Sequence, residues 1–271
     1  MINMRTKHET IDIYSLDGKD IHTMLQANNK GLIMFTENEY GCASHIAIGG
    51  LIDLNKPDAK ILTHLINNNV FNQTEDYEDI GWDMYFDNGY TVVNITRWPQ
   101  TSLMPPEHSM NTWIHIYPPV RDLVELAHKN GHKNLTYVST TTIHDALDND
   151  VFKLHKPTEI MQYDFHQTIS DDTNLFFSPP TWLFPHMGKL MGYETCTAIV
   201  SGHNADERLD WEAGMALQDR LLSMFDLPLI EGASLDIKHE LELLFDRTDE
   251  MVGKMEGLVN KQASAPNHMW G

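Results

Sequence analysis

Apolar positions along this chain come in short unbroken runs and in longer stretches spaced by three and four, separated by polar turns. Gly31–Thr36 (GLIMFT) is an apolar run that predicts a buried strand, and it ends in the polar turn Glu37–Gly41. The segment Cys42–Leu54 (CASHIAIGGLIDL) is small, apolar and free of proline, which suits a helix packed closely on a sheet. Gly49 and Gly50 inside it cost helix propensity and make sense only where another backbone approaches closely. Pro57 follows, with a second helical stretch expected over Ala59–Asn68. After an acidic turn containing Glu75, Asp76, Glu78 and Asp79, the turn Asp87-Asn88-Gly89 leads into a strand over Tyr90–Thr96. Pro119–Asn130 reads as a helix with Val120, Leu123, Val124 and Ala127 on one face and Gly131 as its stop. Leu135–Ser139 is a strand. Leu175–Ser178 opens a further β–α unit with a helix over Trp182–Met191 ended by Gly192, and the strand Cys196–Val200 and a helix over Trp211–Phe225 complete the series. Strands alternating with helices predict an α/β domain whose sheet is mostly parallel and covered on both faces.

The two ends follow other rules. Residues 1–30 are polar and irregular and read as an N-terminal arm, leaving 31–233 as the α/β domain. From Leu235 the apolar residues Leu241, Leu244, Phe245, Met251, Val252, Met255, Leu258 and Val259 step by three and four, so 234–260 is expected to be a long amphipathic C-terminal helix. Its narrow stripe suits a coiled-coil seam or a helix laid on its own domain, and the second arrangement is the commoner. Residues 261–271 are expected to be a flexible tail, a polar spacer closing on Met269-Trp270-Gly271. A Met and a Trp bury large area, and the neighbouring α-carboxylate can pair with a lysine, so this end has the chemistry of a tethered anchor. The competing reading is an end tucked against its own surface or left disordered.

Composition narrows the function classes. The 271 residues are 41% apolar and 21% charged, as in an ordered globular protein. With 39 acidic and 19 basic side chains the formal net charge is −20, which repels phosphate backbones and anionic lipid; no nucleic-acid and no membrane role is expected. Cys42 and Cys196 form neither a disulfide framework nor a thiolate zinc motif and fit a reducing compartment. Met1–Ile13 lacks the apolar core of a signal peptide, and no apolar stretch approaches bilayer length, so a cytoplasmic address is expected. Dinucleotide and phosphate-loop glycine motifs, a nucleophile elbow and His-Glu-x-x-His are all missing from the sequence. His128 and His132 straddle Gly131 and read as solvent-facing residues at a helix end. No metal and no cofactor are expected.

Polar residues do gather where strands of such a sheet end, the usual place for a ligand. They are Arg97 after the second strand, Thr140, Thr141 and His144 after the third, and His203, Asn204, Asp206 and Glu207 after the last. Arg97, His144, His203 and Asp206 together would form a candidate ligand pocket able to bind an anion and perform acid–base work. The plainer account, which spacing alone favours, is that loops are polar and that Asp caps helices, as Asp210 can before Trp211.

The order of these segments resembles the archaeal and bacterial family related to proteasome assembly chaperone two, over about residues 31–262. The family opens with a strand, a Gly-x-x-Gly turn and a small-residue helix, and Leu32–Ile52 follows that plan with Ser44 at the second glycine. Val92–Pro106 matches a strand entering a proline-marked loop, Val120–Ala127 and Leu135–Ser139 match a helix and strand, and Ser178-Pro179-Pro180 matches a Gly-Pro turn. Leu209–Leu217 corresponds to a Pro-Asp-Pro and alanine-rich helix, with Leu209 and Trp211 in place of both prolines, and Leu227–Leu258 to a hydrophobic turn and long charged helix. The resemblance implies a three-layer α/β/α sandwich similar to nucleoside phosphorylases, usually without known catalytic activity. It also implies a chaperone or activator that docks on the proteasome α-ring through a hydrophobic–tyrosine–any tripeptide. Met269-Trp270-Gly271 fits that pattern with Trp for Tyr. The expectation is a non-enzymatic, oligomeric protein that binds proteasome α subunits. The alternatives are a small-molecule-binding protein or enzyme of nucleoside or phosphate type using Arg97, His144, His203 and Asp206, and a self-assembling protein with no proteasome partner.

Overall fold

The computed structural model describes residues 5–7, 9–36, 40–63, 82–95, 106–142, 156, 158–166, 179–203 and 208–263. In chain order these form β1 (Arg5–Lys7), β2 (Ile11–Ser15), α1 (Ile21–Ala27), β3 (Gly31–Thr36), α2 (Ala43–Gly49), β4 (Ala59–Thr63), β5 (Trp82–Asp87) and β6 (Tyr90–Ile95). They continue as α3 (Pro106–Lys129), β7 (Asn134–Thr142), β8 (Ile160–Asp164), α4 (Pro179–Met191), β9 (Thr195–His203), α5 (Trp211–Met224) and α6 (Ala233–Ala263). All nine strands join one sheet in the order β1-β2-β4-β5-β6-β3-β7-β9-β8.

The sheet is mixed, not mostly parallel. Only β6-β3-β7-β9 run parallel. The strands β1, β2, β4 and β5 pair antiparallel up to β6, and β8 is antiparallel on β9. The cause lies in four short strands outside the regular β–α alternation. In β4 the buried residues are Ala59, Ile61 and Thr63, a period of two that replaces the first half of the helix expected over 59–68, whose remaining positions 64–68 lie outside the described residues. Asn88 and Gly89 both have positive φ (49° and 85°), the geometry of a tight hairpin turn, so Asp87-Asn88-Gly89 links β5 to β6 instead of merely opening a strand. The supposedly irregular N-terminal residues supply β1, β2 and α1, with Ile11, Ile13, Ile21 and Leu25 fully buried. Leu175–Ser178 lies outside the described residues.

Alternation along β3 divides the interior into two cores. Leu32 and Met34 face Leu25 of α1, Val120, Leu123, Val124 and Ala127 of α3, and Phe184 and Met187 of α4. Ile33 and Phe35 face Ala47 and Ile48 of α2 and Leu217 and Leu221 of α5. Helices therefore cover both faces around the parallel strands, and each fully buried Leu, Ile or Phe contributes about 1.5–3 kcal/mol. The predicted face of α3 is present, but that helix begins at Pro106, with Pro118 and Pro119 inside it. Two backbone donors are lost there.

His132 is a second correction. Gly131 adopts φ +99° and turns the chain so that His132 is buried, with Nδ1 2.9 Å from the Ala127 carbonyl and Nε2 2.9 Å from the Thr91 hydroxyl. It ties the end of α3 to β6. His128 is half-buried against Tyr193 and lies 3.2 Å from the His132 carbonyl. Cys42 and Cys196 are both buried and free, and burial pushes the Cys196 thiol up to about 12. Among the described residues no helix is long and apolar enough to cross a membrane.

Candidate functional site

At the C-terminal ends of the parallel strands, β7 and β9 stay in register to their last residues, Thr141 opposite Gly202 and Thr142 opposite His203. Thr140 is buried and Thr141 half-buried. His203 is only 4% exposed, and its Nδ1 lies 3.5 Å from Asp210 Oδ2. Asp210 is the N-cap of α5: its Oδ1 accepts from the Ala213 N–H at 2.9 Å, and its own N–H donates to the Gly41 carbonyl at 2.9 Å. Gly41 has φ +67°, and a Cβ there would stand 2.5 Å from His203 Nδ1. One glycine turn, one strand end and one helix start thus lock together around His203. Of the predicted pocket, Arg97, His144, Asn204, Asp206 and Glu207 lie outside the described residues, so the structure places only Thr140, Thr141 and His203. Met269, Trp270 and Gly271 also lie outside them.

The first half of α6 is laid on its own domain. Ile237 and Leu241 are buried against Cys42 and Ile46, and Phe245 packs beside them under the Arg208 guanidinium. Arg208 also holds Asp249 with two bonds of 2.8 Å. A backbone does approach, since the Ile230 N–H donates to the Gly50 carbonyl at 2.8 Å, but what an added Cβ at Gly49 or Gly50 would meet is side chains. A Cβ on Gly49 would meet Ile237 Cδ1 at 1.8 Å, and one on Gly50 would meet Gln218 Nε2 at 1.7 Å.

Beneath α6 lies a cavity of about 160 Å³ that sequence reading missed. It is lined by His45 of α2, Leu54 and Asn55 of the following loop, Asp83 and Tyr85 of β5, Asn94 of β6, and Ile237 and Glu240 of α6. Asp83 and Asn94 are direct partners across the β5–β6 hairpin. Asp83 is paired with Lys60 at 2.6 Å, and the Tyr85 hydroxyl donates to the Leu54 carbonyl at 2.9 Å. Asn94 Oδ1 and His45 Nδ1 are buried with no hydrogen-bond partner among the described residues. The sequence carries no spacing motif for this group, because β5 itself is not predicted.

Burial brings the His45 imidazole down to about 4 from its ordinary 6.5, and burial lowers His132 as well. The unfolded chain therefore takes up protons that the folded chain refuses between about pH 6.5 and 4. Stability is full above that window and falls as the pH drops through it, by up to roughly 3 kcal/mol from His45. Urea melts at pH 7 and pH 5 should show the lower midpoint at pH 5, and His45→Gln should remove much of that difference. A midpoint that does not move between the two pH values would contradict the burial argument.

No protein-family model matches the sequence, and no curated protein matches it. Solved structures do match. PbaA of Pyrococcus furiosus, an archaeal homologue of proteasome-assembly chaperone, superposes in its monoclinic crystal form with a TM-score of 0.51 at 14% identity, covering 87% of this chain and 94% of that one. The chain has the PbaA fold. A second crystal structure of PbaA gives 0.51 at 13% identity, over 85% of this chain and 96% of PbaA. A Mycobacterium tuberculosis protein of unknown function gives 0.50 at 9% identity, over 97% of this chain and 92% of its own. The chaperone-related likeness read from segment order thus has a counterpart in three dimensions.

Proposed function

We propose that this protein is a non-enzymatic chaperone or regulator that binds proteasome α subunits, docking through Met269, Trp270 and the Gly271 carboxylate. The observation that carries the reading is the fold shared with the archaeal proteasome-assembly-chaperone homologue over nearly the whole of both chains. The tail supports it from a separate direction. Met and Trp provide an apolar anchor, the indole N–H one donor, and the carboxylate a partner for a lysine. Residues 264–271 would span about 26 Å when extended at ~3.3 Å each, enough to carry the anchor away from the body. The protein works as a homo-oligomer in the cytoplasm, α6 supplies self-association, and its negative charge steers it toward a basic ring face.

The enzyme reading receives no comparable support. The one member of the Arg97, His144, His203 and Asp206 set that the structure describes, His203, is buried and packed beside the helix-capping Asp210.

Deleting residues 269–271 tests the proposal. Co-purification with a 20S particle should be lost while the melting temperature and sedimentation are unchanged. Trp270→Ala should weaken binding by about thirtyfold, as for an aromatic anchor worth ~2 kcal/mol, and Trp270→Tyr should preserve it. Full binding by the truncated chain would end the tail's role.

A further inference from the structure

We propose that the partly open cavity between α2, the β5–β6 hairpin and α6 is a binding site for a small cationic amine. The inference stands independently of proteasome docking, because it rests on the lining of that cavity alone. Asn94 is only 3% exposed, and its Oδ1 faces no donor among the described residues. An unpaired buried amide oxygen costs free energy unless an occupant supplies a donor. His45 Nδ1 is in the same condition on the facing helix. Burial keeps that imidazole neutral at physiological pH, so Nδ1 can act as an acceptor.

The remaining groups point to the same ligand chemistry. The Tyr85 hydroxyl, a donor that an anion would use, is spent on the Leu54 carbonyl, and Lys60 is spent on Asp83. The donors left in the lining are uncharged: the side-chain amides of Asn55 and Asn94 and, with Nδ1 accepting, the His45 Nε2–H. Asp83 and Lys60 cancel in charge, which leaves the Glu240 carboxylate at the exposed rim as the net charge of the site. An ammonium head has three donors for the carboxylate and the two orphaned acceptors, and the apolar Leu54 and Ile237 accommodate a short alkyl stem. A protein of net charge −20 raises the local concentration of such a cation.

Because Ile237 and Glu240 belong to α6, an occupant bridges that helix to the sheet. Binding should therefore slow hydrogen exchange in the first turns of α6 as well as raise the melting temperature.

The test uses the full chain with butylammonium and 1,4-diaminobutane as cations, and 1-butanol and butyrate as neutral and anionic controls. Calorimetry should show saturable binding of at least one cation below about 10 mM, with both controls at least about tenfold weaker. Glu240→Gln, at an exposed position that folding does not need, should weaken the cation about tenfold. Asn94→Leu should abolish binding while raising the melting temperature of the free protein, since it removes an orphaned acceptor without opening a hole. Three results each overturn the proposal. They are no saturable cation binding up to that concentration, equal binding of butanol or butyrate, and cation affinity unchanged in Glu240→Gln.

Discussion

Asp122→Ala should cost about 3 kcal/mol and loosen the N-terminal strands from the sheet. Asp122 is fully buried on α3 and accepts from the Thr10 N–H at 2.8 Å and the Thr10 hydroxyl at 2.7 Å. It also accepts from Arg121 Nε at 3.1 Å and Nη2 at 2.8 Å. Thr10 directly precedes β2, whose Ile11 and Ile13 are sealed in the core and whose edge carries β1. Removing the carboxylate strands a backbone donor and a hydroxyl, which sets most of the cost, whereas the Arg121 side chain is 39% exposed and can turn its guanidinium to water. Asp122→Asn keeps one acceptor and should cost roughly half as much. Urea unfolding gives the magnitude, and amide exchange over residues 11–15 gives the location. A loss below about 1 kcal/mol, or faster exchange spread evenly through the sheet, would contradict the account. The exposed contact of Arg121 with Glu9, at 3.4 Å, should matter little.

Gly50→Ala should be of comparable size, about 2–4 kcal/mol, and should act on α6. Gly50 has φ −74°, so alanine is allowed by the backbone, and the cost is one of contact alone. The new methyl would stand 1.7 Å from Gln218 Nε2 and 2.2 Å from Ser234 Oγ. Those two side chains are buried and hydrogen-bonded at 3.0 Å, which joins α5 to the start of α6. The Gly50 carbonyl meanwhile accepts from the Ile230 N–H at 2.8 Å, holding the approach to α6 close. Gln218 must therefore swing away and lose its partner. The double variant Gly50→Ala with Gln218→Ala should recover at least about 1 kcal/mol, giving a coupling energy between neighbours. Strict additivity would show that the two positions do not touch as described.

Much of the parallel centre was legible. The runs at Gly31, Tyr90, Leu135 and Cys196 carry enough consecutive apolar residues to declare strands buried on both faces, and the caps at Asp210, Gly131 and Gly192 follow from elementary backbone chemistry. The antiparallel side was hidden for a physical reason. In β4 only Ala59, Ile61 and Thr63 are buried, and in β2 a buried Asp12 stands between Ile11 and Ile13, so each five-residue segment is too short and too mixed to separate from a polar arm or from a turn of helix. His132 misled because a residue past a helix stop is ordinarily wet, whereas here the glycine turn folds it inward. The cavity was out of reach altogether. Its polar atoms come from one helix, two strands, a loop and a second helix, and only the paired register of Asp83 with Asn94 and the seating of α6 bring them together.

The strand order has a consequence for synthesis. β3 is made early, yet its parallel neighbours β6 and β7 follow it by tens of residues, and β9, which completes the parallel set, ends only at His203. A nascent chain must therefore leave the ribosome with its most hydrophobic strand still unflanked. Contacts so distant along the chain slow folding, and the half-made sheet offers bare edges while it waits. This polypeptide should itself fold slowly and aggregate readily when refolded at high concentration.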